Sequence, residues 1–410
     1  MEKSNIAAVF AAGALFGAGL TAGVGALAQN PGYGAEIVPY LRKVADAYAA
    51  VRQHFAGEAD NQKMFDGCLS GLLRGADPHS DYLGAAEFRE MQIGGTPRGA
   101  LGMELASVPN GAQVVAALEG TPAERAGLQS GDILTRIDGA EMGGLGLAEI
   151  VRRLRGAPGS KVRLHVLRPG AIAAEELVVE RQLITPRDVR ARLLAGGIGY
   201  LRISQFAEGT PRALARQLLE MQKENGAPLR GVVLDLRSNP GGLLNSGIAV
   251  AAAFLRDDQL VLRMEGRTPE SKKDYYATAR DYVWRGEADF RRDLPAALRE
   301  VPLAVLVNRG SAAAAELVAA ALQDYQRATV VGEKTYGRGS IQTLMPMTGG
   351  GALKITTAYW HSPKGRALQG GGVEPDVLLD AAALAPVAAS RLGADADAGV
   401  LRARELLERR

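Results

Sequence analysis

The sequence has little of what a disulfide scaffold or a metal site requires. Its 410 residues include one cysteine, Cys68, and four histidines. One cysteine cannot form an internal disulfide, so the fold must depend on apolar cores, and we expect Cys68 to be a buried apolar residue. No H-x-x-x-H or C-x-x-C spacing occurs, so we predict no transition-metal site, and nothing in the sequence implies a cofactor.

Charge of one sign is not concentrated anywhere in the chain. The 48 basic and 45 acidic residues are interspersed and leave a formal net charge of +3. This balance gives no basic surface for phosphates, so we expect no nucleic-acid partner. The hydrophobic content of 47% is sufficient for two or three domains with their own cores.

Residues 1–28 are nearly without charge and differ from the rest of the chain. A lysine at position 3 precedes a run of small and apolar residues from Ile6, and Ala26-Leu27-Ala28 fits an A-x-A cleavage site. This pattern predicts a signal peptide, with an uncleaved membrane anchor as the alternative because the apolar run is long. Either interpretation places the remaining residues outside the cytoplasm.

Periodicity divides the rest of the chain into four parts. Residues 29–88 have apolar positions at helical spacing, whereas residues 89–185 contain short β-type segments separated by glycines. In residues 186–380, strands alternate with helical runs, which predicts an α/β core around a largely parallel sheet within an α+β multidomain chain. We expect the polar stretch 264–293 to be a solvated excursion and the tail 381–410 to form a surface helix.

Four segments in the second part together resemble a PDZ domain. They are GALGMEL, AERAGLQSGDILTRIDG, LGLAEIVRRLRG and VRLHVLR, in the permuted order found in bacterial exported proteases. In such a domain, backbone N–H groups before an edge strand bind a peptide's terminal carboxylate, and the peptide adds to the sheet as a strand. By this resemblance, the site for protein C-termini would comprise Leu101, Gly102, Met103, Ile150 and Leu154.

Arg168 ends the last of these PDZ-like segments. It matches an arginine that, in relatives, communicates between the PDZ domain and the catalytic site. The alternative interpretation is a surface arginine at the end of a strand, on a domain that serves only as a spacer.

Five further motifs extend the resemblance over most of the chain. In order, they are DPHSDYL (77–83), GYLRISQF (199–206), VVLDLRSNPGGLL (232–244), VNRGSAAAAELVAAALQDYQRATVVGEKTYGRGSIQ (307–342) and LKITTAYWHSPKGRALQGGGVEPDV (353–377). This set resembles the carboxyl-terminal processing peptidases, exported serine proteases with a PDZ domain before a β/α catalytic core. The resemblance implies a periplasmic location. The partners it implies are a second copy of the chain, an active paralogue or an adaptor lipoprotein.

The family works with a serine nucleophile and a lysine base, which must stay neutral to accept the serine proton. The serine lies three residues before a helical glutamate that matches Glu316, so the nucleophile position is Ala313. The lysine lies between two glycines, which places Arg338 at the base position, and the family glutamine matches Gln342.

Two backbone N–H groups must also receive the oxyanion. By resemblance they belong to Ala314 and to Gly241 or Gly242 of the Asn239-Pro240-Gly241-Gly242 turn.

Neither substituted residue can perform the family's chemistry. Alanine has no nucleophilic atom, and a guanidinium keeps its proton above about pH 12 and offers no acceptor. The sequence therefore predicts a pseudoprotease with a binding or regulatory role. A further alanine, Ala315, stands where many relatives have serine, and it favours natural drift over an engineered replacement of the nucleophile.

Two alternatives remain. One is an active serine endopeptidase with a displaced dyad of Ser311 and Lys334, although we expect Ser311 to be a helix N-cap. The other is a purely structural subunit. His79 and His361 are not spaced for a catalytic triad with a serine, and we expect both to make structural hydrogen bonds.

Overall fold

The computed structural model describes residues 31–92, 99–184, 188–284, 287–379, 393–394 and 396–409. The predicted signal peptide or anchor, residues 1–28, lies outside these ranges. Within them, no helix is both long and apolar enough to cross a membrane. The chain forms two compact units, Met1–Cys68 and Leu69–Arg410.

The first unit is helical where it is described. It contains α1 (Pro31–His54) and the start of α2 (Asn61–Arg74). The rings of Tyr48 and Phe65 lie 5.5 Å apart. The prediction that Cys68 is buried is wrong, because α2 buries none of its side chains and the thiol is exposed.

The second unit begins with β1 (Asp81–Leu83) and α3 (Ala85–Gln92) and continues into a small sheet domain. The elements of that domain are β2 (Met103–Val108), β3 (Gly111–Ala117), α4 (Pro122–Arg125), β4 (Ile133–Ile137), β5 (Ala140–Glu141), α5 (Leu147–Leu154), β6 (Lys161–Leu167) and β7 (Glu175–Glu180). The strand order is β2-β3-β4-β6-β7, with β5 beside β4. The strand β2 is therefore an edge strand, and α5 contributes its apolar face to the domain core.

The remaining residues form a β/α core and an antiparallel sheet beside it. Their elements are β8 (Val189–Leu194), β9 (Ile198–Ile203), α6 (Thr210–Asn225), β10 (Gly231–Asp235), α7 (Leu244–Ala252), β11 (Leu260–Gly266), β12 (Lys273–Tyr276), α8 (Ala279–Tyr282), β13 (Leu303–Val307), α9 (Ala314–Asp324), β14 (Ala328–Gly332), β15 (Ser340–Pro346), β16 (Ala352–His361), β17 (Val377–Leu378) and α10 (Ala398–Glu408).

The central sheet has the order β17-β14-β13-β10-β9-β8. Every neighbouring pair in it is parallel except β8 with β9. The strands β9, β10 and β13 are buried along their whole length, as expected when helices cover both faces of a parallel sheet. The predicted fold class, an α/β core around a largely parallel sheet, is confirmed.

A second sheet in this part is built around the long strand β16. It pairs with β15 on one side and with β1 and β11 on the other, and β12 pairs with β11. The helical periodicity of residues 29–88 did not predict β1. Tyr82 and Leu83 form a strand because they pair with Leu353 and Ala352, a contact far away in sequence.

Two segments that were expected at the surface also contribute side chains to the apolar cores. In the stretch 264–293, Tyr282 and Phe290 are buried in the main core, and their rings meet edge to face at 5.9 Å. The tail helix α10 is not confined to the surface either. It buries Val400, Ala403 and Leu407 in the cluster that covers one face of the central sheet.

Candidate active site

Ala313 lies in a strained turn between β13 and α9. It is the N-cap residue of α9, with φ 51° and ψ −115°. A non-glycine residue with this backbone conformation costs roughly 1–3 kcal/mol and persists only where the surrounding structure imposes it. Strain of this kind clusters at functional sites. Here the strained residue is Ala313, whose side chain is a methyl group without chemical reactivity.

Glu316 connects this turn to the turn that carries Arg338. The carboxylate is fully buried and accepts hydrogen bonds from the N–H groups of Ala313 (2.9 Å), Gly337 (2.6 Å) and Arg338 (2.8 Å), and from the Thr335 hydroxyl (2.5 Å). Burial raises the pKa of Glu316, and these hydrogen bonds oppose that rise. One side chain thus fixes both turns relative to each other.

The glycine turn after β10 approaches the same place. A Cβ atom on Gly241 would lie 2.7 Å from the Ala313 Cβ and 3.0 Å from the Ala314 nitrogen, so only glycine fits there. The Gly241 N–H donates to Asn239 Oδ1 at 2.8 Å. Among the described residues, the N–H groups of Gly242 and Ala314 have no acceptor, which leaves two donors at this turn.

The guanidinium of Arg338 points toward the PDZ domain. Its Nη1 donates to Glu104 Oε1 on β2 at 2.5 Å, and both side chains are partly exposed. A guanidinium is protonated at any physiological pH, so this contact is an ion pair between the two domains. Sequence patterns do not identify Glu104 as a site residue, because it lies more than 200 residues from Arg338.

The structure gives Ser311 and Lys334 different partners. The Ser311 hydroxyl is fully buried, donates to Leu236 O at 2.8 Å and accepts from the Asn308 N–H at 3.0 Å. Lys334 Nζ pairs with Glu374 at 2.6 Å on an exposed surface. The expectation that Ser311 caps α9 is wrong, since the N-cap is Ala313 and the Ser311 hydroxyl bonds the end of another strand.

Gln342 lies on β15, which begins two residues after Arg338. The turns at Ala313 and Arg338, together with this strand, define the candidate cleft. Gln342 Nε2 donates to the Ser340 hydroxyl at 2.9 Å and to the Thr356 hydroxyl at 3.4 Å. The Thr356 hydroxyl in turn donates to Asp77 at 3.1 Å. Asp77, the first residue of the DPHSDYL motif, and the family glutamine Gln342 therefore both contact Thr356 on β16.

The two histidines have no serine partner in the described contacts. His79 Nε2 lies 3.4 Å from Gln369 Nε2, and His361 Nδ1 lies 3.9 Å from Glu265. Burial, aided by the charge of Arg338, lowers the pKa of His79.

The residues of the predicted PDZ groove lie together. Leu101, Ile150 and Leu154 belong to one apolar cluster, and Met103 packs against it. Ile150 is 0% exposed, so its side chain lies fully within the core of the domain.

The loop before β2 contains two backbone N–H groups that are available to a ligand. Gly102 has φ +78°, and its carbonyl accepts from the Leu118 N–H and the Thr121 hydroxyl. The N–H groups of Leu101 and Gly102 donate to no acceptor in the described part of the chain. This is the arrangement that a terminal carboxylate requires.

Arg168 contacts only its own domain among the described residues. It pairs with Glu175 at 2.6 Å and Asp132 at 3.5 Å, and it donates to Gly127 O at 3.2 Å. Asp132 is two residues from Ser130, whose hydroxyl donates to Arg309 O in the β/α core at 3.2 Å. Any coupling through Arg168 is therefore indirect.

Other contacts join the PDZ domain directly to the β/α core. Glu119 pairs with Arg202 and Arg190, and the Tyr336 hydroxyl donates to Gln113 at 3.4 Å. An apolar contact reinforces these, because Ala106 and Val115 of the PDZ domain pack on Ala312, next to the strained turn. The face of β2 opposite the groove thus lies against the candidate active site.

These features define a class of protein: a peptidase-type β/α core that carries a PDZ domain in contact with its cleft. The sequence profile of "Peptidase family S41" matches residues 197–379, and that of a "PDZ domain" matches residues 113–168.

Individual proteins narrow this class to one family. A carboxy-terminal-processing protease of Bartonella bacilliformis is 35% identical over 342 residues, which span 83% of this chain and 75% of that protein. A carboxyl-terminal-processing protease of Synechocystis sp. is 35% identical over 74% of this chain and 68% of its own length. The solved photosystem II D1 C-terminal processing protease matches with a TM-score of 0.69 and 28% identity, over 87% of this chain and 91% of that chain. The chain belongs to the carboxyl-terminal processing protease family, as its motifs predicted.

Proposed function

We propose that this protein is a non-cleaving member of its family, which binds protein C-termini through its PDZ domain and holds them without hydrolysis. The observation that carries the proposal is the pair of side chains at the candidate active site. A methyl group occupies the strained turn at Ala313, and the Arg338 guanidinium is ion-paired with Glu104. Neither group can attack a carbonyl carbon or accept a proton.

The surroundings support a retained scaffold. Within the described ranges the N–H groups of Ala314 and Gly242 have no acceptor and can serve as oxyanion donors, whereas that of Gly241 donates to Asn239. The partners of Ser311 and Lys334 argue against a displaced dyad, because the hydroxyl donates to a carbonyl and the amine is bound to Glu374.

We also propose that the protein is exported to the periplasm, with residues 1–28 as signal peptide or anchor. By binding a second copy of itself, an active paralogue or an adaptor lipoprotein, the protein would then regulate the proteolysis that active peptidases carry out there. Cell fractionation tests the location, and recovery of the protein from the cytoplasm would contradict it.

Gly102 offers a direct test of binding. We expect a short peptide with an apolar last residue and a free carboxylate to bind, and its amidated counterpart to bind at least about tenfold more weakly. In Gly102→Ala, the new Cβ would lie 2.3 Å from the Thr121 Cβ at φ +78°. The resulting shift of the loop should weaken the free-carboxylate peptide about tenfold in fluorescence anisotropy.

Gly139→Ala is the matched control. Gly139 has φ +82° in the same domain, but a Cβ there would meet no atom of the described residues within 4 Å. It imposes similar backbone strain away from the groove and should leave affinity unchanged. Equal binding of the free and amidated peptides by the parent protein would refute the proposed function and favour a structural role.

A further inference from the structure

Lys354 is a titratable group at the cleft that the family chemistry does not use. It lies on β16 two residues before Thr356, so both side chains are on the same face of the strand, the face that reaches Gln342 and Asp77. The side chain is half-buried, and no described residue forms a hydrogen bond or an ion pair with it. Burial, together with the charge of Arg338, lowers the pKa of Lys354.

The carboxylates around Lys354 are already engaged. Asp77 accepts from the Ser80 hydroxyl at 2.6 Å and from the His79 N–H at 2.7 Å, and Asp81 faces Arg74 at 3.6 Å. Glu104 is paired with Arg338.

An ammonium group that is partly withdrawn from water without a contacting counter-ion is costly. Glu104, Asp81 and Asp77 stabilise the ammonium without contacting it, so an anion from outside the chain would be its contacting partner.

Arg338 has donors available for the same anion. Only its Nη1 is engaged, so Nε and Nη2 have no acceptor among the described residues. A guanidinium is a poor base but an excellent carboxylate ligand, because its planar fork can donate two parallel hydrogen bonds. Replacement of a lysine base by arginine thus converts a proton acceptor into an anion anchor.

We propose that Arg338 and Lys354 form a second carboxylate site, in the peptidase-like cleft, for the free C terminus of a protein that has already been cut. The inference rests on the proposed function, since it assumes that the cleft holds peptides without cleaving them. The second site adds a class of ligand to that function, namely protein chains whose C terminus has been newly created by an active peptidase. Such a chain would occupy the cleft as a product does, independently of the PDZ groove.

Isothermal titration calorimetry of the full chain with the free-carboxylate peptide tests this site. We expect two carboxylate-dependent sites per chain in the parent. Gly102→Ala should weaken only the PDZ site, and Lys354→Met should weaken only the cleft site, by about tenfold for the loss of one charged hydrogen bond. Lys354→Arg should retain both sites, and Lys223→Met, an exposed lysine on α6, serves as the charge-matched control.

Three outcomes separate the possibilities. A single site that Gly102→Ala weakens, with Lys354→Met equal to Lys223→Met, would refute the cleft site and leave the proposed function standing. No carboxylate-dependent binding by the parent would overturn both. An amidated peptide with an internal aspartate distinguishes the source of the carboxylate, and its binding at the cleft with the same dependence on Lys354 would contradict a preference for free C-termini.

Discussion

The double variant Ala313→Ser/Arg338→Lys should cleave an unstructured protein such as casein, whereas the parent and each single variant should not. Removal of the nucleophile alone from a serine protease costs on the order of 10⁶ in rate. Restoration of both groups in a preserved scaffold should raise cleavage on the order of 10⁴-fold above the parent. Gel-based cleavage assays of the four proteins at equal concentration provide the measurement.

The backbone supports this expectation. The turn at Ala313 already has the strained conformation, and Glu316 bonds the N–H groups of both Ala313 and Arg338. In the described part of the chain, the N–H groups of Ala314 and Gly242 have no acceptor, so they would be available as oxyanion donors. Cleavage by the parent would mean that another residue attacks, and the protein would then have to be treated as an enzyme.

Glu104 should limit the restored activity near neutral pH. It lies 2.5 Å from the Arg338 guanidinium, and a carboxylate at that distance from a lysine at position 338 would favour the charged ammonium. Adding Glu104→Gln to the double variant should therefore shift the acidic limb of the pH–rate profile down by about one unit or more. Glu141→Gln, which removes an exposed carboxylate elsewhere in the PDZ domain, should not shift it. Inert double and triple variants that are still folded would show that the scaffold itself has lost its catalytic geometry.

The sequence predicted those parts of the structure that depend on local pattern or on motif order. The alternation of strands and helices indicated the parallel sheet. By resemblance to the family, the spacing from Glu316 placed Ala313 and the two flanking glycines placed Arg338, and the Glu316 carboxylate accepts from the N–H groups of both residues. Lys354 lies in one of the segments that carry the resemblance to the family. Its sequence context alone does not mark it as a site residue, because a lysine in a strand usually points to solvent.

Long-range pairing accounts for the errors. Ser311 fits an N-cap pattern, but its hydroxyl is taken by Leu236 from a neighbouring strand. The stretch 264–293 has a solvated composition, yet Phe290 reaches the main core. Glu104 was not recognisable at all, because only the docking of the PDZ domain brings it to Arg338. Composition and periodicity predict which side chains of a segment can be buried. They do not predict which distant element the segment will pack against.

Asp235 is the centre of a buried ion network at the end of β10, four residues before the glycine turn of the site begins at Asn239. It accepts hydrogen bonds from Arg237 (2.6 Å), Arg202 (3.4 Å) and the Tyr200 hydroxyl (2.8 Å), and Arg237 also binds Asp397, the N-cap residue of α10. The side chain of Asp235 is 0% exposed. Removal of one partner from a buried network leaves the other charges uncompensated, at a cost of about 3–5 kcal/mol.

Asp235→Asn should therefore lower the free energy of unfolding by about 3–5 kcal/mol at pH 7 in urea titrations. Asp258→Asn, which removes an exposed partner of Arg256, should cost less than about 1 kcal/mol. A loss at Asp235 no larger than that of this control would show that the network contributes little to stability.

The effect of Asp235→Asn should also depend on pH, in a direction fixed by the charges. Although burial alone would raise it, the charges of Arg237 and Arg202 lower the pKa of Asp235 from 3.8 to about 2. A lowered folded-state pKa gives stability that is present above the unfolded value and is lost as the pH falls toward the folded value, here about 2 kcal/mol between pH 4 and 2. The difference between parent and Asp235→Asn should shrink by that amount over the same interval. A difference that stays constant between pH 4 and 2 would mean that the carboxylate is not held ionised by the two arginines.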